Sequence, residues 1–130
     1  VAVLRTESGG QLATTVTFEV FAFEVKCADA ALAASIQQGV TQAAFANHVT
    51  LMLHADPRFV QDEVVQRWKV ECAQFGLGLI TFLDPNDFDS YTVHSLGQRR
   101  PQEDQNRLQE FLAPRLTPKT LYRLRGGDNG

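Results

Sequence analysis

The sequence feature that most constrains the fold is an uninterrupted stretch of β-forming residues at positions 15–26. Valine, phenylalanine and threonine dominate it, and neither glycine nor proline breaks it, which is typical of a β-strand. Apolar residues occupy both alternating sets of positions over most of its length, as expected of a strand that is covered on both faces of a sheet. The stretch therefore predicts a long inner strand.

Two charged residues, Glu24 and Lys26, interrupt this apolar pattern at the end of the stretch. Because side chains alternate across a strand, Glu24 and Lys26 share one face, and Phe23 and Val25 share the other. A carboxylate and an ammonium group are costly to remove from water. Such a pair at the end of a buried strand therefore indicates either a mutual ion pair or a functional site. The pattern leaves both interpretations open.

Strands and helices alternate along the rest of the chain. The expected strands share short runs of β-branched and large apolar residues, and the expected helices share an apolar spacing of three to four residues. They are strands at 1–5, 15–26, 48–54 and 77–83, helices at 30–46 and 60–75, a weak edge strand at 91–96 and a helix at 102–112. The order β-β-α-β-α-β plus a C-terminal helix predicts an α/β fold with a mixed β-sheet flanked by helices. Gly76 is the expected C-cap of the second helix, and the segment from Pro114 onward shows no clear period.

Length and composition bound the class of protein. With 130 residues, of which 44% are hydrophobic, residues 1–130 predict a single domain with a sizeable core. No apolar run is long enough to cross a membrane and no signal-peptide pattern is present, so we expect a cytoplasmic protein without a membrane partner. Cys27 and Cys72 are far apart and predict reduced, semi-buried thiols. Because the first residue is Val1 rather than methionine, we expect the chain to be a fragment of, or N-terminally incomplete relative to, a longer one.

Charge is unevenly distributed along the chain. The net charge is −3, yet residues 99–130 contain seven Lys/Arg and four Asp/Glu, whereas residues 1–98 contain five and eleven. The C-terminal basic residues, beginning with Arg99 and Arg100, would therefore either follow a phosphate backbone or form a solvated segment. The spacing of the three histidines does not indicate a zinc site.

Three short motifs occur in an order and spacing that indicate a family. Phe-Glu-Val-Lys at 23–26 ends the long strand, Gln38 and the run 45–51 form a glutamine-bearing helix and the strand after it, and the run 75–80 contains a glycine-hydrophobic-glycine connection. Together they resemble the PD-(D/E)XK nuclease superfamily, which has the restriction-endonuclease-like fold. The motif at 23–26 corresponds to (D/E)xK, and Gln42 falls where many members carry an aromatic residue. The resemblance runs through about two-thirds of the chain.

The resemblance implies Mg²⁺- or Mn²⁺-dependent hydrolysis of phosphodiester bonds in DNA by an endonuclease. Glu24 would bind the metal, Lys26 would position the attacking water or stabilise the charge that develops on the phosphate, and Gln38 would support the site or contact a phosphate. Members of the superfamily carry a further metal-binding aspartate just before the first hairpin strand, where this sequence has no acidic residue. The hairpin geometry places the residue opposite Glu24 at or before position 1, so we expect that ligand upstream of Val1.

The alternative interpretation is a catalytically inactive member of the same fold that acts as a protein-interaction or scaffold module. The missing acid and the acidic balance of residues 1–98 favour it. Glu7 lies at the predicted turn and Glu19 lies on the strand face opposite Glu24, so neither replaces the missing ligand. Either interpretation allows a protein partner or a homo-oligomer.

Overall fold

The computed structural model describes residues 2–7, 16–27, 32–101 and 105–124. The strands are β1 (Ala2–Glu7), β2 (Val16–Cys27), β3 (His48–His54), β4 (Gly78–Phe82) and β5 (Thr92–Ser95). The helices are α1 (Leu32–Gln42), α2 (Asp62–Gln74), α3 (Gln105–Leu112) and α4 (Pro118–Leu124), and a 3₁₀ turn at Phe88–Ser90 precedes β5.

The five strands form one mixed sheet in the order β1-β2-β3-β4-β5. The inner strands β2, β3 and β4 are parallel to one another, and β1 and β5 pair antiparallel at the two edges. Parallel neighbours need a crossover connection, and here α1 and α2 provide it. The predicted mixed α/β fold with flanking helices is therefore confirmed, and β2 is an inner strand, as its sequence predicted.

The helices bury one face of the sheet. Pairing places Ala22 of β2 beside Val49 of β3, and Leu51 of β3 beside Leu79 of β4, and all four side chains are almost completely buried. The same core cluster includes residues from three helices, namely Ile36, Val65, Trp68, Cys72, Leu108, Phe111 and Leu112. Removing these apolar side chains from water is the main stabilising contribution to a fold of this kind.

The opposite face of the sheet is only partly covered by the described residues. Phe21 and Phe23 are partly exposed, Val25 is 56% exposed, and Val93 of β5 is 58% exposed. The expectation that β2 is covered on both faces therefore holds for one face. The physical reason is that α1, α2 and α3 all contribute to one core cluster and so pack on the same side of the sheet.

Residues next to the helix ends explain where α2 ends and where α4 begins. α2 stops at Gln74, and its C-cap is Phe75 rather than the expected Gly76. Gly76 is the next residue and has a φ of 67°, a left-handed conformation that glycine adopts without strain just past the end of a helix. The sequence did not predict α4. It begins at Pro118, and Thr117 Oγ1 accepts the backbone N–H of Thr120 at 3.2 Å, which is a typical helix start. None of the helices in the described ranges is both long enough and apolar enough to cross a membrane.

Residues 97–100, which follow β5, run past the N-terminal ends of the parallel strands. The backbone N–H of Gln98 donates to the carbonyl of Gly76 at 2.9 Å, just before β4. The backbone N–H of Arg100 donates to the carbonyl of Asn47 at 2.7 Å, just before β3. This 97–100 segment therefore returns the chain from the β5 edge towards β2 along one end of the sheet.

Asn47 joins this segment to β2. Its Nδ2 donates to the carbonyl of Arg100 at 3.0 Å, and its Oδ1 accepts the backbone N–H of Val20 at 2.8 Å. Its own backbone N–H donates to the carbonyl of Val20 at 2.9 Å. The buried amide of Asn47 thus has a partner at both polar atoms, as a buried polar group requires.

The two cysteines have different environments. Cys72 is fully buried in the core, and this burial raises the pKa of its thiol to about 11. Cys27, at the end of β2, is exposed. Both are free thiols, but the expectation that both are semi-buried is wrong, because one lies on the core face of α2 and the other at the end of the sheet.

Candidate active site

The predicted pair Glu24 and Lys26 lies where β2 extends beyond β1. The described pairs between β1 and β2 end with Ala2 opposite Phe21. Residues 22–27 of β2 therefore pair with β3 on one side and face no described residue of β1 on the other. The pair thus lies near the C-terminal ends of the parallel strands, where ligands commonly bind in α/β sheets.

The two oxygens of the Glu24 carboxylate have different partners. Lys26 Nζ lies 3.0 Å from Oε1, and Gln42 Nε2 donates to Oε2 at 2.8 Å. The Glu24 side chain is 16% exposed and that of Lys26 is 34% exposed. The carboxylate is therefore held in one orientation by a cation and an amide while both charged groups remain accessible from solvent.

Gln42, rather than Gln38, is the α1 glutamine that contacts Glu24. The two glutamines are one turn apart on the same helix face, and Gln38 is exposed. Sequence reasoning selected Gln38 because it matched the nuclease motif, and it overlooked Gln42 because an aromatic residue is usual there. An amide at that position, one turn from a candidate glutamine, was the signal that could have identified it.

A magnesium ion at this site would have one protein carboxylate from the described part of the chain. Within that part, no group of three or more His, Cys, Asp or Glu side chains could hold a metal ion. The described residues of β1 place no carboxylate opposite Glu24. Mg²⁺ keeps several water ligands and commonly binds through one or two carboxylates plus substrate phosphates. The donor set fits such a hydrated ion, with Glu24 as its protein ligand.

A second charged cluster, formed by Glu19, His48 and Arg99, lies on the opposite face of the sheet. Glu19 Oε1 is 3.0 Å from His48 Nε2 and accepts from Arg99 Nε at 2.7 Å, and Glu19 Oε2 accepts from Arg99 Nη2 at 3.0 Å. The His48 ring stacks on Phe21, with 4.4 Å between the ring centroids. The hydrogen bond from Arg99 is the main reason why the pKa of Glu19 is below its usual value of 4.5. This cluster fastens the 97–100 segment to β2 and is separate from Glu24.

Replacing Glu19 by glutamine is expected to lower the free energy of unfolding at neutral pH. The same change is expected to make the free energy of unfolding fall less steeply as the pH is lowered below about 5. Because the folded-state pKa of Glu19 is lowered, ionised Glu19 stabilises the fold above the unfolded-state value of about 4.5. That contribution is lost as the pH falls through 4.5 and then through the lower folded-state pKa. Urea unfolding from neutral pH to about pH 3 measures this effect.

The expected result for Glu19→Gln is a stability difference from wild type that shrinks as the pH falls. Glu110→Gln makes the same change on an exposed position of α3 and is the matched control. A difference for Glu19→Gln that stays constant over the whole pH range would contradict the role of the charged carboxylate.

Three of the arginines considered as phosphate contacts are engaged within the chain. Arg99 belongs to the cluster with Glu19, and Arg100 Nη2 donates to the carbonyl of Phe75. Arg115 lies over the ring of Phe111, 3.9 Å from its centroid, and donates to its carbonyl at 2.8 Å. These three guanidinium groups are therefore engaged within the chain, while Arg99 and Arg115 also remain exposed to solvent.

Comparison with protein-family models finds no match, and comparisons with curated proteins and with solved structures find no significant match. The resemblance to the PD-(D/E)XK superfamily therefore rests on the sequence motifs. Any function must be inferred from the chemistry of Glu24, Lys26 and Gln42.

Proposed function

We propose that this chain is a nuclease-like domain that hydrolyses phosphodiester bonds in DNA with Mg²⁺ or Mn²⁺. The observation that carries the proposal is the contact of Glu24 with both Lys26 and Gln42 at the C-terminal end of an inner strand, where both charged side chains are partly exposed. Phosphodiester hydrolysis needs a metal-binding carboxylate next to a cation, and strand alternation fixes these two groups on one face. The motif resemblance at 23–26 supports the same function.

Each side chain has a role that its chemistry can supply. Bound magnesium would polarise the phosphate and lower the pKa of a bound water. Glu24 holds the ion, and Gln42 fixes the Glu24 carboxylate by its bond to Oε2. The Lys26 ammonium donates hydrogen bonds to a phosphate oxygen and stabilises the negative charge that develops there. Gln38, exposed one turn from Gln42, contacts a neighbouring phosphate.

For Lys26 to bind a phosphate, its ammonium group must leave the Glu24 carboxylate. The partial exposure of this ion pair is compatible with such an exchange of partners. Ion pairs that are open to solvent contribute only about 0–1 kcal/mol to stability. This pair is only partly exposed, with Lys26 at 34% and Glu24 at 16%, so its separation costs more than that of an exposed pair, and a phosphate at Lys26 and a metal ion at Glu24 would replace the lost contact. A fully buried pair would oppose the same movement much more strongly.

Lys26→Ala is expected to lower the rate of metal-dependent DNA cleavage about 100-fold or more, because it removes the cation next to the reacting phosphate. The measurement is cleavage of plasmid and single-stranded DNA with Mg²⁺ or Mn²⁺. Arg67→Ala and Glu63→Gln, both on α2, change exposed charged residues away from β2 and are the controls for Lys26→Ala and Glu24→Gln. Both controls are expected to cleave at the wild-type rate.

Metal binding gives a readout that does not depend on cleavage. Paramagnetic Mn²⁺ is expected to broaden the amide NMR signals of Glu24 and its strand neighbours in the wild type and not in Glu24→Gln. Circular dichroism verifies that each variant is folded. A folded wild type that neither cleaves DNA nor shows this local broadening would contradict the proposal.

The second candidate is a catalytically inactive nuclease-like fold that acts as a protein-interaction module. The observation that favours it is the partly uncovered sheet face, where Val25 and Val93 are more than half exposed. In that case substitution of Lys26 would alter stability slightly and would have no cleavage to remove. The absence of manganese broadening in a folded wild type would favour this candidate over the nuclease.

A further inference from the structure

A cavity of about 380 Å³ lies at the C-terminal end of β4. The first two turns of α2 form one wall, and β5 forms another. Asp62 and Gln66, which are one turn apart on α2, line one side, and Thr92 and His94 of β5 line another. Phe82 is among the apolar residues that complete the wall. This volume lies at the lower end of the range for small-molecule sites.

The cavity lies on the same sheet face as the candidate active site. Lys26 of β2 pairs with Leu53 of β3, and Leu53 pairs with Thr81 of β4, which lines the cavity. These three residues form one row across the sheet. Neighbouring strands are about 4.8 Å apart, so the backbones of Lys26 and Thr81 are about 10 Å apart. One extended nucleotide covers such a distance from its phosphate to the far edge of its base.

The lining suits a neutral planar ring better than a phosphate. Asp62 brings a carboxylate, and none of the described lining residues is lysine or arginine, so the lining supplies no cation to hold a phosphate. Gln66, Thr92 and His94 bring hydrogen-bonding groups, and Phe82 brings apolar surface. Planar heterocycles with polar edges, such as nucleobases, match this combination.

His94 is held in place by Thr81. His94 Nε2 lies 2.7 Å from Thr81 Oγ1, and Thr81 is buried. Burial, with a smaller effect from Lys69, lowers the pKa of His94, which favours the neutral ring. Because Nε2 contacts Thr81, Nδ1 is the ring nitrogen that can meet a polar atom on a ligand.

We propose that this cavity binds the base of a nucleotide whose phosphate lies at Lys26, and that it prefers a base whose Watson–Crick edge places an amino donor beside a ring-nitrogen acceptor, as adenine and cytosine do. The amino group donates to the Asp62 carboxylate, and the ring nitrogens meet Gln66 and His94. The placement of the phosphate rests on the proposed nuclease function, whereas binding of the base does not. A base paired in a duplex cannot offer this edge, so the substrate class is single-stranded DNA or DNA with an unpaired base.

NMR titration of ¹⁵N-labelled protein with adenosine, cytidine and thymidine in the absence of metal tests the base site. Adenosine and cytidine are expected to shift the amide signals of Gln66, Thr92 and His94, and thymidine, which lacks an amino group, is expected to shift them less. Asp62→Asn and Gln66→Ala are each expected to weaken adenosine binding about 10-fold, because the first removes the negative charge of the group that accepts from the amino group and the second removes a hydrogen bond to the base. Gln74→Ala, exposed at the other end of α2, is the matched control and should bind adenosine like wild type.

Adenosine binding and DNA cleavage test the base site and the nuclease function separately. If adenosine leaves the cavity signals unchanged, or binds Asp62→Asn as tightly as wild type, the base site is overturned even where Lys26→Ala abolishes cleavage. If adenosine binds in the cavity of a protein that cleaves no DNA, the base site stands and the nuclease function falls. Adenosine 5′-monophosphate is expected to bind wild type more tightly than adenosine does and to lose this advantage in Lys26→Ala. Equal affinities in wild type would overturn the placement of the phosphate.

Discussion

Replacing Asn47 by alanine is expected to lower the free energy of unfolding by about 2–4 kcal/mol. Asn47 is 2% exposed, and its side chain accepts the N–H of Val20 and donates to the carbonyl of Arg100. Val20 is fully buried, so water does not replace the lost acceptor. An unpaired buried N–H costs about 1–3 kcal/mol, and the cavity left by the shorter side chain adds to this.

Urea unfolding followed by the fluorescence of Trp68, the one tryptophan of the chain, measures this loss. Trp68 is 6% exposed on the core face of α2, so its emission reports on disruption of the core. Asn86→Ala is the matched control, because Asn86 is exposed and its hydrogen bond to Asp84 uses the backbone N–H. It is expected to change stability by less than about 0.5 kcal/mol. A similarly small change for Asn47→Ala would show that the amide does not hold β2 to the 97–100 segment.

Replacing Gly97 by alanine is expected to lower the free energy of unfolding by about 2–3 kcal/mol. A Cβ atom at Gly97 would lie 2.7 Å from the carbonyl oxygen of Val49 and 3.1 Å from the backbone nitrogen of Gly78. Both atoms belong to the backbone of the inner sheet and cannot move without disturbing the pairing of β3 and β4. The added methyl group therefore forces the 97–100 segment away from the sheet.

Gly39→Ala is the matched control, since it adds the same methyl group at a second glycine, which is buried in α1. Its nearest neighbours would be the side-chain ends of Leu77 at 3.0 Å and Leu51 at 3.4 Å, which can shift. Alanine in place of glycine within a helix also gains about 1 kcal/mol, which offsets the crowding. We expect Gly39→Ala to stay within about 1 kcal/mol of wild type. A Gly97→Ala protein that unfolds at the same urea concentration as Gly39→Ala would contradict the close approach at Gly97.

Local patterns in the sequence were sufficient to predict the regular elements of the inner sheet. The run at 15–26 predicted β2, and the apolar run at 48–54 predicted β3 with the bounds it has in the structure. Gly76 marked the end of α2. Each of these features depends on neighbouring residues only, because β-branched side chains favour strands and glycine permits a left-handed backbone. The start of α4 had a local signal too, the pair Thr117 and Pro118, which the lack of periodicity obscured.

The candidate site could be predicted in part. Glu24 and Lys26 share a face because of strand alternation, which is a local property. The contact between Gln42 and Glu24 depends on where α1 crosses β2, and four-residue spacing leaves Gln38 and Gln42 equivalent in the sequence. For the same reason the run at 15–26 could not reveal that the helices gather on one face of the sheet. Tertiary packing decides both, and no single segment encodes it.

The contacts of the 97–100 segment also bear on the order of events during folding. Arg99 meets Glu19 across 80 residues of sequence, and Arg100 meets the side chain of Asn47 across 53. Closing loops of this length costs chain entropy before any contact is gained, and the partners on β2 and next to β3 are in place only after those strands have paired. We therefore expect this segment to dock late, on a sheet that is already assembled. Docking of the 97–100 segment would thus join the last quarter of the chain to the first three quarters only after these have folded.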